Sequence, residues 1–289
     1  MKVFIIGASG LVGSHCLNVF KSNKVEVIGT HFTYVVNDTI YFNPLDDKCI
    51  DYMQEFKPDV IIHCGALTNV DYCEENINES YRLTVESTKK IVDYCSFNDC
   101  KLVYFSTDYV FDGFDGPYKE IALVQPINVY GMHKLRAETL VTQLKNYIIA
   151  RITNVYGEEE RNKNFISRLI IVLNSNEKKE IKLPIDQFAT PVYAGDVAKM
   201  IYLLVQNNKN GIYNLSSNDY YNRFSLANKI KSYYPEKNNL KLIPVITSEL
   251  NQKARRPLEG GLLNIKFSSE FPEFIFTTID SYLSKNLRS

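Results

Sequence analysis

The sequence predicts an α/β fold, a Rossmann-type doubly wound parallel sheet with a smaller C-terminal α/β substrate lobe. Two observations carry this. Short apolar runs alternate with longer segments of helical period through the first half, the pattern of repeated βαβ units. The first run, Val3–Ile6, leads straight into the glycine-rich stretch Gly7-Ala8-Ser9-Gly10-Leu11-Val12-Gly13, where a strand-to-helix turn brings backbone N–H groups and a helix N-terminus against a pyrophosphate.

The further runs Val25–Ile28, Val60–His63, Leu102–Phe105 and Tyr147–Ile149 read as strands, with helices expected near 11–22, 46–56, 79–98 and 131–145. In 79–98, Tyr81, Val85, Thr88, Ile91, Val92 and Cys95 recur at spacings of three and four, so one face packs on the sheet. After about residue 155, Pro184, Pro191, Pro235, Pro244 and Pro257 punctuate shorter pieces. Residues 1–155 are therefore expected to form the dinucleotide-binding domain and 156–289 mainly the substrate lobe. Two later segments, a helix at 195–206 and a strand at Gly211–Leu215, are expected to rejoin the first domain.

Composition narrows the function. The 289 residues are 45% hydrophobic and 23% charged, as in an ordinary globular protein. Basic and acidic residues balance at 33 each, leaving no field to draw nucleic acid or an anionic membrane. A small-molecule substrate is the expectation. The N-terminus has too short an apolar run for a signal peptide or membrane span. Six cysteines without a CxxC pair point to reduced thiols in a cytoplasmic compartment, and the four dispersed histidines predict no metal site.

Tyr130 and Lys134 lie four apart on an expected helix and so project from one face. An ammonium close to the phenol would favour its ionised form and make it a usable proton donor. The second strand ends Ile28-Gly29-Thr30-His31, with no acid to hold a ribose 2′-hydroxyl. Thr30 and His31 as hydrogen-bond donors lean the reading towards NADPH, with NADH as the alternative. His31 reads equally well as a simple loop residue.

Further motifs fall in order: Phe105-Ser106-Thr107-Asp108-Tyr109-Val110-Phe111-Asp112-Gly113, Gly116-Pro117-Tyr118, Pro126-Ile127-Asn128-Val129-Tyr130-Gly131-Met132-His133-Lys134, Arg151-Ile152-Thr153-Asn154-Val155-Tyr156-Gly157, Asn164-Phe165, Asp186-Gln187 and Arg255-Arg256-Pro257. Over nearly its whole length the chain resembles the extended short-chain dehydrogenase/reductases, and within them the dTDP-4-dehydrorhamnose reductase family.

The resemblance implies a catalytic set in which Thr107 bonds the substrate carbonyl, Tyr130 donates a proton and Lys134 holds the nicotinamide ribose. Cofactor contacts are implied at Gly7, Ser9, Gly10, Leu11, Val12, Leu45, Cys64, Gly65 and Ala66, and substrate contacts at Thr68, Val70, Asn154, Asn164, Gln187 and Arg256. It implies an NADPH-dependent reductase of the 4-keto group of a UDP- or dTDP-linked 4-keto-6-deoxy sugar, giving an NDP-rhamnose-type product. A bifunctional 3,5-epimerase/4-reductase stays open, with Tyr109 and Lys163 as candidate acid–base groups and Tyr109 equally readable as packing against substrate. Two other readings stay open: a regulatory subunit resembling methionine adenosyltransferase β, and an epimerase or dehydratase that recycles its cofactor.

The chain departs from the family at Thr84 and His63, where Asn is frequent, and at Asn43, near which an acid is usual. It departs again at Asn154, where a tryptophan usually stands. Relatives commonly form homodimers through the helices expected here at 79–98 and 131–145, which would need a second apolar stripe; Val129, Leu135 and Leu140 are its candidates.

Overall fold

Buried strands and one-sided helices alternate as the sequence requires, and a computed structural model describes residues 1–286. The first half runs β1 (Lys2–Ile6), α1 (Leu11–Ser22), β2 (Glu26–His31), β3 (Thr39–Tyr41), α2 (Asp47–Phe56), β4 (Val60–His63), α3 (Val70–Glu75), α4 (Ile77–Tyr81), a π-helical turn (Arg82–Glu86), α5 (Ser87–Asn98), β5 (Lys101–Thr107), α6 (Val129–Val141) and β6 (Tyr147–Ile152). The rest runs α7 (Phe165–Asn174), β7 (Lys179–Pro184), β8 (Phe188–Ala189), α8 (Ala194–Gln206), β9 (Gly211–Asn214), β10 (Tyr221–Asn222), α9 (Arg223–Lys231), β11 (Leu240–Val245), α10 (Ile265–Glu270) and α11 (Ile279–Asn286).

Among the described residues, seven strands form one sheet in the order β3-β2-β1-β4-β5-β6-β9, and every pairing is parallel. The chain winds outward from β1 to β3 and then returns to β4, so the order reverses between β1 and β4. That reversal opens a crevice at the carboxyl ends of the strands, where ligands of such sheets bind.

Alternation along the strands supplies two apolar layers. Val3, Ile5, Val103 and Ile148 face Phe20 of α1 and Met200, Ile201 and Leu204 of α8. Phe4, Ile61, Leu102 and Ile149 face Met53 of α2, Ile91 and Cys95 of α5, and Ala137 and Val141 of α6. Each fully buried Val, Leu, Ile, Phe or Met among them contributes about 1.5–3 kcal/mol. A third apolar cluster joins α7, α9 and α11 to the β7–β11 pair, including Leu169, Leu173, Leu226, Ile230, Leu240 and Leu283.

Gly13 shows why the phosphate-loop spacing is what it is. A Cβ on Gly13 would sit 2.2 Å from the carbonyl oxygen of Gly7, so only glycine lets α1 start this close to the end of β1.

Several expectations are corrected. The helix expected at 79–98 runs without a break from Ile77 to Asn98 but carries a π-helical turn at Arg82–Glu86. The helix expected at 131–145 starts at Val129, because the Asn128 side chain accepts from the N–H of Gly131 and caps it. β3 and α3 were not anticipated; β3 is a three-residue edge strand with Ile40 and Tyr41 exposed. On the helices expected to pair, Ile77, Tyr81 and Met132 are exposed. Val129 is buried, while Leu135 and Leu140 pack into cores of the chain itself. The outer face of α5 and the turn before it carries Arg82, Glu86, Lys89, Lys90 and Asp93. No helix among the described residues is long and apolar enough to cross a membrane, and all six cysteines are free.

Candidate active site

The strand ends converge on one cavity of about 550 Å³, within the usual range for small-molecule sites. β1 delivers Gly7, β4 delivers Cys64 and Ala66, β5 delivers Thr107 and Asp108, and β6 delivers Thr153 and Asn154. Gly10, Leu11, Val12 and Gly13 line the opposite end at the start of α1, whose first turn carries no acid. Backbone N–H groups at an uncharged helix start suit a phosphate. The Arg161 guanidinium adds positive charge there, 3.7 Å from the position a Gly10 Cβ would take. A dinucleotide therefore fits this end of the cavity.

Tyr130 and Lys134 reach the cavity from α6, and the start of that helix is tightly fixed. Asn128 donates to the carbonyl of Arg255 at 2.8 Å, and Glu74 accepts from the N–H of Val129 at 3.0 Å. A Cβ on Gly131 would lie 2.0 Å from the Tyr109 carbonyl oxygen. Glycine at 131 thus lets the Tyr–Lys helix lie directly on the Thr107–Tyr109 segment. Farther along α6, Glu138 forms a two-pronged pair with Arg151 of β6 at 3.0 and 2.7 Å, with both side chains buried.

Thr107 accepts from the N–H of Tyr109 and donates to Asp108, each at 3.2 Å. Asp108 also accepts from Thr153 at 2.7 Å and from the N–H of Gly261 at 3.2 Å. Burial raises the Asp108 carboxyl, and these donors work against the rise. The Tyr109 and Tyr130 rings meet edge to face with centroids 5.7 Å apart.

The electrostatics correct the expectation for the Tyr–Lys pair. Lys134 donates to the carbonyl of Phe105 at 2.5 Å and sits over the Tyr104 ring, not on the phenol. Burial pulls its ammonium down to about 7, against the upward pull of Glu138, Cys64 and Cys73. Burial raises the Tyr130 phenol; the Thr107 hydrogen bond opposes this, while Asp108, Tyr109 and Cys73 reinforce it. Tyr130 by itself is a firmly protonated phenol. His63, behind the lysine, is pulled down to about 3 by burial and by Lys134, so it is a neutral core residue near Thr88.

A sequence profile described as the RmlD substrate binding domain matches residues 1–277. The chain belongs to this family. It is 26% identical over 285 residues to a dTDP-4-dehydrorhamnose reductase of Aggregatibacter actinomycetemcomitans, covering 93% of each chain. It is 29% identical over 233 residues to the methionine adenosyltransferase 2 subunit beta of Xenopus laevis, covering 78% of this chain and 70% of that one. Among solved structures, the dTDP-4-dehydrorhamnose reductase of Bacillus anthracis in complex with NADP superposes with a TM-score of 0.87 at 27% identity, covering 100% of this chain and 99% of that one.

Against the RmlD family resemblance, the structure sorts the remaining candidates. Cys64, Ala66, Thr68, Val70, Tyr109, Asn154, Lys163 and Asn164 line the cavity. Ser9, Leu45 and Gly65 lie outside its wall, and Gly65 backs the loop with its N 3.1 Å from a Gly7 Cβ position. Thr30 and His31 are buried behind the loop. Thr30 accepts from the N–H of Gly7 at 3.3 Å, and His31 pairs with Thr39 at 2.7 Å. The Thr39 hydroxyl proton goes to Val36, so His31 is the donor.

Gln187 is held by Thr247 and Gln252, away from the cavity. Arg256 is held by Asp71 at 2.9 Å and by the Ala254 carbonyl, and Arg255 is exposed. Asn164 spends its side chain capping α7 and bonding the Gly157 carbonyl. Sequence reasoning missed three cations that do line the cavity, Arg161, Arg168 and Arg223. Arg161 follows three glutamates and reads as a solvated loop, while Arg168 and Arg223 read as ordinary helix residues.

Proposed function

We propose that this chain is an NADPH-dependent reductase of the 4-keto group of a 4-keto-6-deoxy nucleotide sugar, UDP- or dTDP-linked. The single observation that supports this most is the continuity of one cavity from the glycine loop to Thr107, Tyr130 and Lys134. A bound nicotinamide supplies the hydride.

The residues then have distinct tasks. The start of α1 and the glycine loop hold the pyrophosphate. Lys134, freed from the Phe105 carbonyl, reaches the ribose. Thr107 and Tyr130 converge on the substrate oxygen, and Tyr130 gives it a proton as negative charge develops there. Because burial keeps the phenol protonated, the proton is present when the carbonyl needs it, and donation to a developing alkoxide favours the transition state over the ground state.

NADPH is favoured over NADH because no acid ends β2, and the Bacillus anthracis relative was solved with NADP. A 3,5-epimerase step would draw on Tyr109, which faces the same cavity beside Tyr130, with Lys163 as the second group. Steady-state NADPH oxidation with UDP- and dTDP-4-keto-6-deoxyglucose tests the reading: activity with either, abolished in Tyr130→Phe, is expected. The resemblance to the Xenopus laevis subunit favours a second reading, a regulatory nucleotide-binding subunit. Stable complex formation with a methionine adenosyltransferase catalytic subunit, without turnover of any keto sugar, would establish that one instead.

A further inference from the structure

The far wall of the cavity carries a cation that no carboxylate among the described residues meets at ion-pair distance. Arg223, the first residue of α9, donates from Nη2 to the side-chain oxygen of Asn154 at 2.5 Å, and its guanidinium lies over the Phe165 ring at 4.9 Å. Both contacts are with uncharged groups. Among the described residues no carboxylate lies within ion-pair distance of Arg223 or of Arg168, the next cation on that wall. Two other arginines inside the fold are matched, Arg151 by Glu138 and Arg256 by Asp71, whereas Arg161 on the same cavity has, among the described residues, no ion pair and a buried Nε without a partner.

Arg223 is half-buried; partial loss of water without a counter-charge costs a guanidinium, and a neutral amide returns only part of that cost. What the arrangement gains is orientation. Asn154, held at a positive φ of 41°, fixes one edge of the planar fork and leaves other N–H groups for a ligand. Arg223 lines the same cavity as Thr107, Tyr109 and Tyr130; burial depresses its guanidinium, Tyr109 and Asp108 act on it favourably, and Arg168 and Arg256 act against it. Asn154 also stands where the resemblance leads one to expect a tryptophan. An end wall that would be flat and apolar is here an oriented cation.

We propose that Arg223, positioned by Asn154, is a specificity-determining anchor for an oxyanion of the substrate, either a phosphoryl oxygen of its diphosphate or a carboxylate on its sugar. This rests on the nucleotide-sugar reading above. Two N–H donors in a fixed plane match either group in a bidentate manner.

Calorimetric binding of UDP, UDP-glucose and UDP-glucuronate to wild type, Arg223→Gln and Arg223→Lys tests it. If the anchor reads phosphate, Arg223→Gln weakens all three ligands by about 10- to 100-fold, the range for a hydrogen bond to a charged group. If it reads a sugar carboxylate, wild type prefers UDP-glucuronate over UDP-glucose, and only that preference disappears in Arg223→Gln. In both cases Arg223→Lys retains part of the affinity, and NADPH binding stays unchanged, which shows that the variants are folded. Affinities within twofold of wild type for every probe, or no affinity for any probe in the wild type, overturn the proposal. Turnover of a keto sugar is measured on the same proteins. Arg223-dependent binding without turnover removes the reductase reading and keeps the anchor; turnover with Arg223-independent binding removes the anchor alone.

Discussion

Replacing Lys134 by methionine is expected to stabilise the ligand-free protein at neutral pH and to destabilise it at alkaline pH. Lys134 is 4% exposed, and burial pulls it down to about 7 from an ordinary 10.5. Between those values the unfolded chain binds more protons than the folded one, so wild-type stability rises with pH across that window. The penalty for burying the ammonium is about 4 kcal/mol at pH 7 and about 1 kcal/mol at pH 10. Methionine removes the penalty but leaves the Phe105 carbonyl without its donor, a loss of about 2 kcal/mol. The variant should therefore gain about 2 kcal/mol at pH 7, or about 4 °C in Tm, and fall slightly below wild type at pH 10. Thermal melts of both proteins, ligand-free, at pH 7 and pH 10 measure this. A variant less stable than wild type at pH 7, or a difference independent of pH, refutes the reasoning.

Two other substitutions test the scaffold around Tyr130. Gly131→Ala places a methyl against the Tyr109 carbonyl; it should lower kcat about 100-fold by tilting α6 while the protein still binds NADPH, and single-turnover kinetics with an NADPH titration check both halves. Glu138→Ala leaves the Arg151 guanidinium buried and unpaired, so urea unfolding should show a loss of about 3–5 kcal/mol.

The sheet was legible because each central strand is buried on both faces and therefore apolar along its length, and because Gly7, Gly10 and Gly13 mark the first turn. What escaped was settled by tertiary contacts. Edge strand β3 has too little burial to leave an apolar run, and nothing in the spacing of 79–98 announces a π-helical turn. On the catalytic side, the strand ends that carry Cys64, Thr107 and Asn154 were readable as motifs, whereas the Asn128 cap, which starts α6 two residues before the expected 131, was not. The electrostatics were not: an i,i+4 spacing gives Tyr130 and Lys134 a common face, but only the fold shows Lys134 turned to the Phe105 carbonyl and both groups dominated by burial. On the substrate side, Gln187 and Arg256 were drawn away by partners distant in sequence, Thr247 and Asp71. Arg223 came in from a helix start that carried no functional signal.

The central claim is that hydride reaches the C4 carbonyl of a sugar nucleotide while Tyr130 protonates its oxygen. Proton NMR of the product formed from UDP- or dTDP-4-keto-6-deoxyglucose with NADPH deuterated at nicotinamide carbon 4 measures it directly. Deuterium at sugar C4 in one configuration, with no product from Tyr130→Phe, is the predicted result. A wild-type enzyme that leaves both substrates unreduced, or a Tyr130→Phe variant that still forms the product at wild-type rate, would contradict the account.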